Sequence, residues 1–95
     1  MSTPIIAKAL FPMGQIVATP GALEVLTSLD IRSALARHSR GDWGDLEAED
    51  RVPNDDALRN GTRLFSAYTA EAGTRFWIIT EADRSSTSIL LPSEY

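Results

Sequence analysis

An α+β fold is predicted, with helices in the first two thirds of the chain and an antiparallel sheet in the last. Two patterns predict it. Apolar residues recur at helical spacing between Ala22 and His38, and from Arg63 onward the period changes to short β-favouring runs joined by tight turns. Length sets the scale: 95 residues make one domain over 1–95, too small for a second domain or a doubly wound nucleotide-binding sheet.

Residues 1–10 read as loosely held. They carry one lysine and an early Pro4 but no apolar stretch with a cleavage site, so they do not read as a secretory signal. The first strand is Gln15-Ile16-Val17-Ala18, entered through Pro12 and Gly14. Thr19 then caps a helix, with Pro20 at its first position and Ala22, Leu23, Val25, Leu26 and Leu29 at helical spacing. Asp30 reads as a second N-cap, opening a short helix from Ile31 to about Ser39. Ile31, Ala34, Leu35 and His38 form its stripe, and Gly41 its stop.

Asp42-Trp43-Gly44-Asp45 reads as a glycine-flanked loop in which Asp45 caps a helix starting at Leu46. Glu47 and Glu49 suit the positive end of that helix. Pro53 is expected to interrupt it before it resumes through Ala57 and Leu58. Runs 63–69, 75–81 and 87–91 then form a three-stranded antiparallel meander, turning at Glu71-Ala72-Gly73 and Ala82-Asp83-Arg84-Ser85. The Gln15 strand would join at an edge. Phe76, Ile78 and Thr80 share one face of the middle strand, and Trp77, Ile79 and Glu81 the other. Two apolar faces imply cover on both sides, either from this chain or, on one side, from a partner.

Composition narrows the function. Hydrophobic residues at 43% and charged residues at 23% speak against disorder. The absence of cysteine excludes disulfides, thiolate zinc sites and cysteine nucleophiles. A net charge of −4 offers no general attraction to phosphate backbones or anionic membranes. The longest apolar runs, Trp77-Ile78-Ile79 and Ile89-Leu90-Leu91, are strand-sized, so no membrane partner is expected and the cytoplasm is the expected location. Seven of the 13 acids fall in 42–56, against Arg51 alone among the bases there, which makes one surface distinctly acidic.

The one constellation suited to catalysis is His38 with Asp42 and Asp45. A histidine can act as general base while a carboxylate holds its tautomer, and a helix C-terminus would favour its protonated form. The structural alternative packs His38 on the helix stripe and spends Asp45 as a cap. Trp43 is either a binding anchor or, as favoured in so small a protein, a core plug. Glu81, Asp83 and Arg84 lie in a polar turn that either only folds back or recognises a ligand, with Arg84 gripping a carboxylate or phosphate. Asp42, Asp45, Asp55, Asp56, Glu81 and Asp83 are metal-ligand material without EF-hand spacing or paired histidines, so neither metal nor cofactor is expected. Arg32, Arg37 and Arg40 make a faint basic stripe, offset by the acids that follow.

From Phe11 to Tyr95 the chain resembles a family of small, uncharacterised bacterial proteins found on chromosomes, plasmids and integrated elements. FPMGQIVATPGAL, RHSRGDWGDL, SAY at Ser66 to Tyr68 and WIITEADRSSTSILLPSEY carry the resemblance. Members are sometimes labelled as a modification subunit of a type I restriction system. This chain lacks a glycine-rich cofactor loop, an Asn/Asp-Pro-Pro-Tyr motif and the length of a methyltransferase. The resemblance implies mobile-element context and brings no catalytic residues with it.

The leading expectation is therefore a small cytoplasmic, non-enzymatic binding or accessory protein whose partner is a protein, with self-association left open. The alternatives are a small hydrolase or nuclease using His38, Asp42 and Asp45, and a nucleic-acid binder using Arg37, Arg40 and Arg84. Any functional surface is expected where loop 38–45 meets turn 81–86. Arg84 would pair there with Asp42 or Asp45, and a His38–Arg84 separation beyond about 15 Å would exclude a shared site.

Overall fold

The computed structural model describes residues 9–95. Most of the stretch expected to be loosely held lies outside them, and Leu10 is already tied down, its amide donating to the Ser39 carbonyl at 2.8 Å. Strand β1 (Gln15–Ala18) is followed by helices α1 (Pro20–Val25), α2 (Ser28–Ser39) and α3 (Ala48–Asn60). Strands β2 (Leu64–Thr69), β3 (Arg75–Thr80) and β4 (Ser86–Leu90) complete the sheet before a short 3-10 turn, Pro92–Glu94. The class is α+β, as expected.

The sheet is not a three-stranded antiparallel meander. It is a mixed, four-stranded sheet in the order β1-β4-β3-β2. Strands β2, β3 and β4 do run antiparallel to one another, but β1 adds beside β4 in parallel, Ile16 opposite Thr87 and Ala18 opposite Ile89. A parallel neighbour needs a long crossover rather than a hairpin. The three helices provide it, carrying the chain from the β1 edge to the β2 edge, with α1 against β4, α2 against β3 and α3 against β2.

Thr19 caps α1 as expected, its hydroxyl accepting from the Ala22 amide at 3.3 Å. The second helix starts earlier than its sequence reading. Thr27 is the N-cap and Asp30 sits at the third helical position, the two closing a capping box with reciprocal bonds of 3.0 Å. Two satisfied amide donors outweigh the single one that Asp30 would satisfy as a cap. Helix α3 is continuous through Pro53, and Asp45 does not cap it; the N-cap is Glu47, without a side-chain cap bond. Proline removes one helical hydrogen bond. Packing of Ala57 and Leu58 against Leu64 and Trp43 holds the helix together despite that loss.

One sheet face meets the helices. Tyr68, Phe76, Ile78 and Ile89 pack there against Ala22, Leu26 and Ala34. Phe11, Trp43, Ala57 and Leu64 form a second cluster. On the other face Ala67, Ile79 and Leu90 are buried, while Phe65 and Trp77 are half-buried.

The β2 edge is closed by side-chain and loop chemistry. The Asn54 amide imitates a neighbouring strand at Phe65, donating through Nδ2 to its carbonyl and accepting from its amide through Oδ1 at 3.1 Å. One residue pair along, the Ala67 amide donates to Trp43 O at 3.2 Å and the Asp45 amide to Ala67 O at 2.7 Å. Gly44 lies between them at φ 70°, where a Cβ would meet Ala67 O at 2.1 Å, so only glycine fits. Asn54→Ala should lower unfolding stability by about 1–3 kcal/mol, because both backbone groups of Phe65 lose their partner. An unchanged urea midpoint would mean that the edge is sealed without Asn54.

Candidate functional site

His38 is fully buried, at 0% exposure, in the last turn of α2. Its ring nitrogens reach the Ser66 hydroxyl through Nδ1 and the Thr80 hydroxyl, 2.9 Å away, through Nε2. The network continues through Thr87, 2.7 Å from Thr80, to the Met13 carbonyl at 2.7 Å. A carbonyl only accepts, and this fixes the protons from Met13 as far as Nε2. Thr87 donates to Met13, Thr80 donates to Thr87, and His38 Nε2–H donates to Thr80. Burial holds the ring's pKa down at about 4, with the Arg84 charge pushing the same way, so at neutral pH the imidazole is neutral and Ser66 donates to Nδ1. The expectation of a helix-end, protonated histidine is corrected: loss of hydration outweighs the helix dipole.

The catalytic constellation does not assemble. Asp42 turns to Arg37, which donates to it twice, at 2.8 and 3.2 Å. Those bonds hold the Asp42 carboxyl below the usual carboxylate range. Asp45 accepts from the Thr69 hydroxyl at 2.8 Å. Tyr68, whose phenol burial pushes up to about 12, donates to the Asp42 carbonyl at 2.6 Å. Loop 42–45 is thus fastened to α2 through Asp42 and to β2 through Asp45, and neither acid bonds His38. Trp43 is 4% exposed, its ring edge-on to His38 and its indole N–H donating to Asp55 at 2.9 Å. It plugs the core.

The loop 38–45 region and turn 81–86 do converge, without making a shared site. His38 and Arg84 flank Phe11, the His38 ring centroid at 5.3 Å and the Arg84 guanidinium carbon at 5.7 Å from the Phe11 centroid. That keeps them well inside about 15 Å of each other, the span allowed to one constellation. Arg84 nevertheless pairs with no carboxylate. Its guanidinium donates to four carbonyls, Thr62 at 2.6 Å, Ala57 at 3.0 Å, Glu81 at 3.1 Å and Ala82 at 3.4 Å. A cation placed on the last turn of α3 also meets the negative end of the helix. This clamp holds Arg84 at φ 61°, a conformation uncommon outside glycine. Asp83 accepts from the Ser85 amide at 3.0 Å, and Glu81 meets Arg63 at 3.8 Å. The polar turn folds back on itself.

The nucleic-acid expectation loses two of its three arginines to these partners, Arg37 to Asp42 and Arg84 to carbonyls. Among the described residues no cluster of three or more His, Asp or Glu side chains could hold a metal ion. No helix among them is long and apolar enough to cross a membrane.

The feature that sequence reasoning passed over lies on the opposite face of the sheet. Phe65, Trp77 and Tyr95 form an aromatic row, with ring centroids 4.9 Å apart for the first pair and 5.6 Å for the second. Tyr95 is 68% exposed. Arg63 holds it in place, donating to the phenol oxygen at 2.9 Å and lying 5.4 Å from its ring centroid. Alternation in 75–81 put Trp77 on this face, but Phe65 and Tyr95 reach it through strand pairing and the folded-back C-terminus. That terminus is fastened by Glu94, which accepts from Thr19 Oγ1, from the Gly21 amide and from the Leu91 amide. The chain matches no family model, no curated protein and no solved structure.

Proposed function

We propose that this chain is a small, non-enzymatic accessory protein that binds another protein through the outer face of its sheet. The observation that carries the reading is the Phe65–Trp77–Tyr95 row, a set of large rings left partly in water by a fold that buries Trp43 and Phe76. Aromatic side chains supply much of the binding energy at protein interfaces, and contiguous apolar surface marks such sites. The hydroxyl–imidazole pair Ser66–His38, the arrangement closest to a nucleophile and its base, lies in the core beyond the reach of substrate. The family resemblance adds a mobile-element setting to the proposal, and the cytoplasm is its proposed location.

Trp77→Ser tests it. Trp77 is half-exposed on this face, so the variant should fold and lose at least tenfold in affinity for a partner captured from the native host, about 1.4 kcal/mol or more. Undiminished binding by a folded Trp77→Ser protein would reject the proposal, as would turnover of a substrate that is abolished in a folded His38 variant.

A further inference from the structure

Beside the aromatic row, α3 and the outer face of β2 enclose a groove of about 340 Å³, lined by Leu46, Asp50, Pro53, Asn54 and Phe65. Phe65 belongs to both features, so the groove opens onto the row. We infer, resting on the protein-binding reading, that the groove takes a cationic amphipathic segment of the partner. An apolar side chain would lie on Pro53 and Phe65, with Lys or Arg against Asp50.

Asp50 is the one charged side chain lining the groove, and it accepts hydrogen bonds. Both ends of the Asn54 amide are spent on Phe65. Pro53 has no N–H, so the Glu49 carbonyl one turn earlier lacks its helical donor. Asp50 is exposed, as are Glu47 and Glu49 beside it, and none of the three has a basic partner among the described residues. The local bases are already committed. Arg51 donates to the Leu46 and Gly44 carbonyls at 3.0 and 3.1 Å, and Arg59 to Asp56 at 2.9 Å. Glu49 and Asp50 lie in the first turn of α3. A segment with an apolar stripe and flanking cations satisfies the groove wall, its acids and the adjoining rings together.

The test is an amide-resolved NMR titration of the full chain with two synthetic peptides of identical spacing, one of Leu and Lys and one of Leu and Glu. The Leu/Lys peptide should shift the amides of residues 46–52, 54 and 65, more weakly as salt rises, while the Leu/Glu peptide should not bind. Asp50→Lys, an exposed change, should weaken the Leu/Lys peptide at least tenfold. Shifts centred elsewhere, equal binding of the two peptides, or indifference to Asp50→Lys would overturn the inference. So would a dimer in solution burying Phe65 and Trp77, which would put a second copy in the groove. A native partner that tolerates Asp50→Lys but is lost with Trp77→Ser removes the cationic inference and keeps the protein-binding reading. A partner that tolerates both removes both.

Discussion

Ile78→Asp is expected to leave the chain unfolded at neutral pH. Ile78 is 0% exposed at the middle of β3, between Ser66 of β2 and Ile89 of β4, and faces the helices. The substitution removes a buried aliphatic side chain, a loss of roughly 2–5 kcal/mol for truncations of this kind. It also places a carboxylate in the apolar cluster of Ala34, Phe76 and Ile89; an unpaired buried charge costs several kcal/mol more or forces protonation. A domain of this size has a total stability of about 5–15 kcal/mol, so the two effects together meet or exceed it. Loss of cooperative thermal unfolding by circular dichroism is the expected result. Ile78→Val, which deletes one methyl group, should fold and lose only about 0.5–1.5 kcal/mol. Wild-type thermal stability in Ile78→Asp would place β3 at an edge of the sheet rather than inside it.

What the sequence revealed and concealed follows the range of the interactions. The β2–β3–β4 hairpins were legible because alternation and turn residues are local, and so was the Thr19 cap with Pro20 behind it. The partner and direction of β1 were not: Gln15-Ile16-Val17-Ala18 carries no sign that it lies beside Ser86–Leu90, some 70 residues on. Pro53 misled because its local cost is set against contacts with Trp43 and Leu64 that only the fold supplies. The position of His38 on the buried stripe was readable from its spacing. Its partners Ser66 and Thr80 lie 28 and 42 residues away, and the only hint was hydroxyls on otherwise apolar strands. Arg84 looked like a recognition group because turn composition cannot show that the guanidinium folds back on Ala57 and Thr62.

Acidification tests the His38 network, the second large effect. The ring should titrate near its ordinary value of 6.5 once the chain unfolds, against about 4 in the folded state. Between those values the unfolded chain binds the extra proton, so stability falls as pH falls. The contribution is fully present above pH 6.5, about 2 kcal/mol of it is gone by pH 5, and roughly 3 kcal/mol below pH 4. Protonation would also put a second N–H at Nδ1, facing the hydroxyl that now donates to it. Carboxylates do not mimic this loss. Asp42, chiefly through Arg37, and Glu94, chiefly through Thr19, are held below their ordinary values near 4, so their contributions disappear only at lower pH. Urea unfolding at pH 7, 5.5 and 4.5 separates the two windows. His38→Leu should flatten the dependence between pH 7 and 5, while costing about 1–3 kcal/mol at neutral pH because the Ser66 hydroxyl loses its partner; Thr80 keeps its bond to Thr87. Stability of the wild-type protein that stays constant from pH 7 to 5 would mean that the imidazole is hydrated, and the sealed Ser66–His38–Thr80–Thr87 line would have to be abandoned.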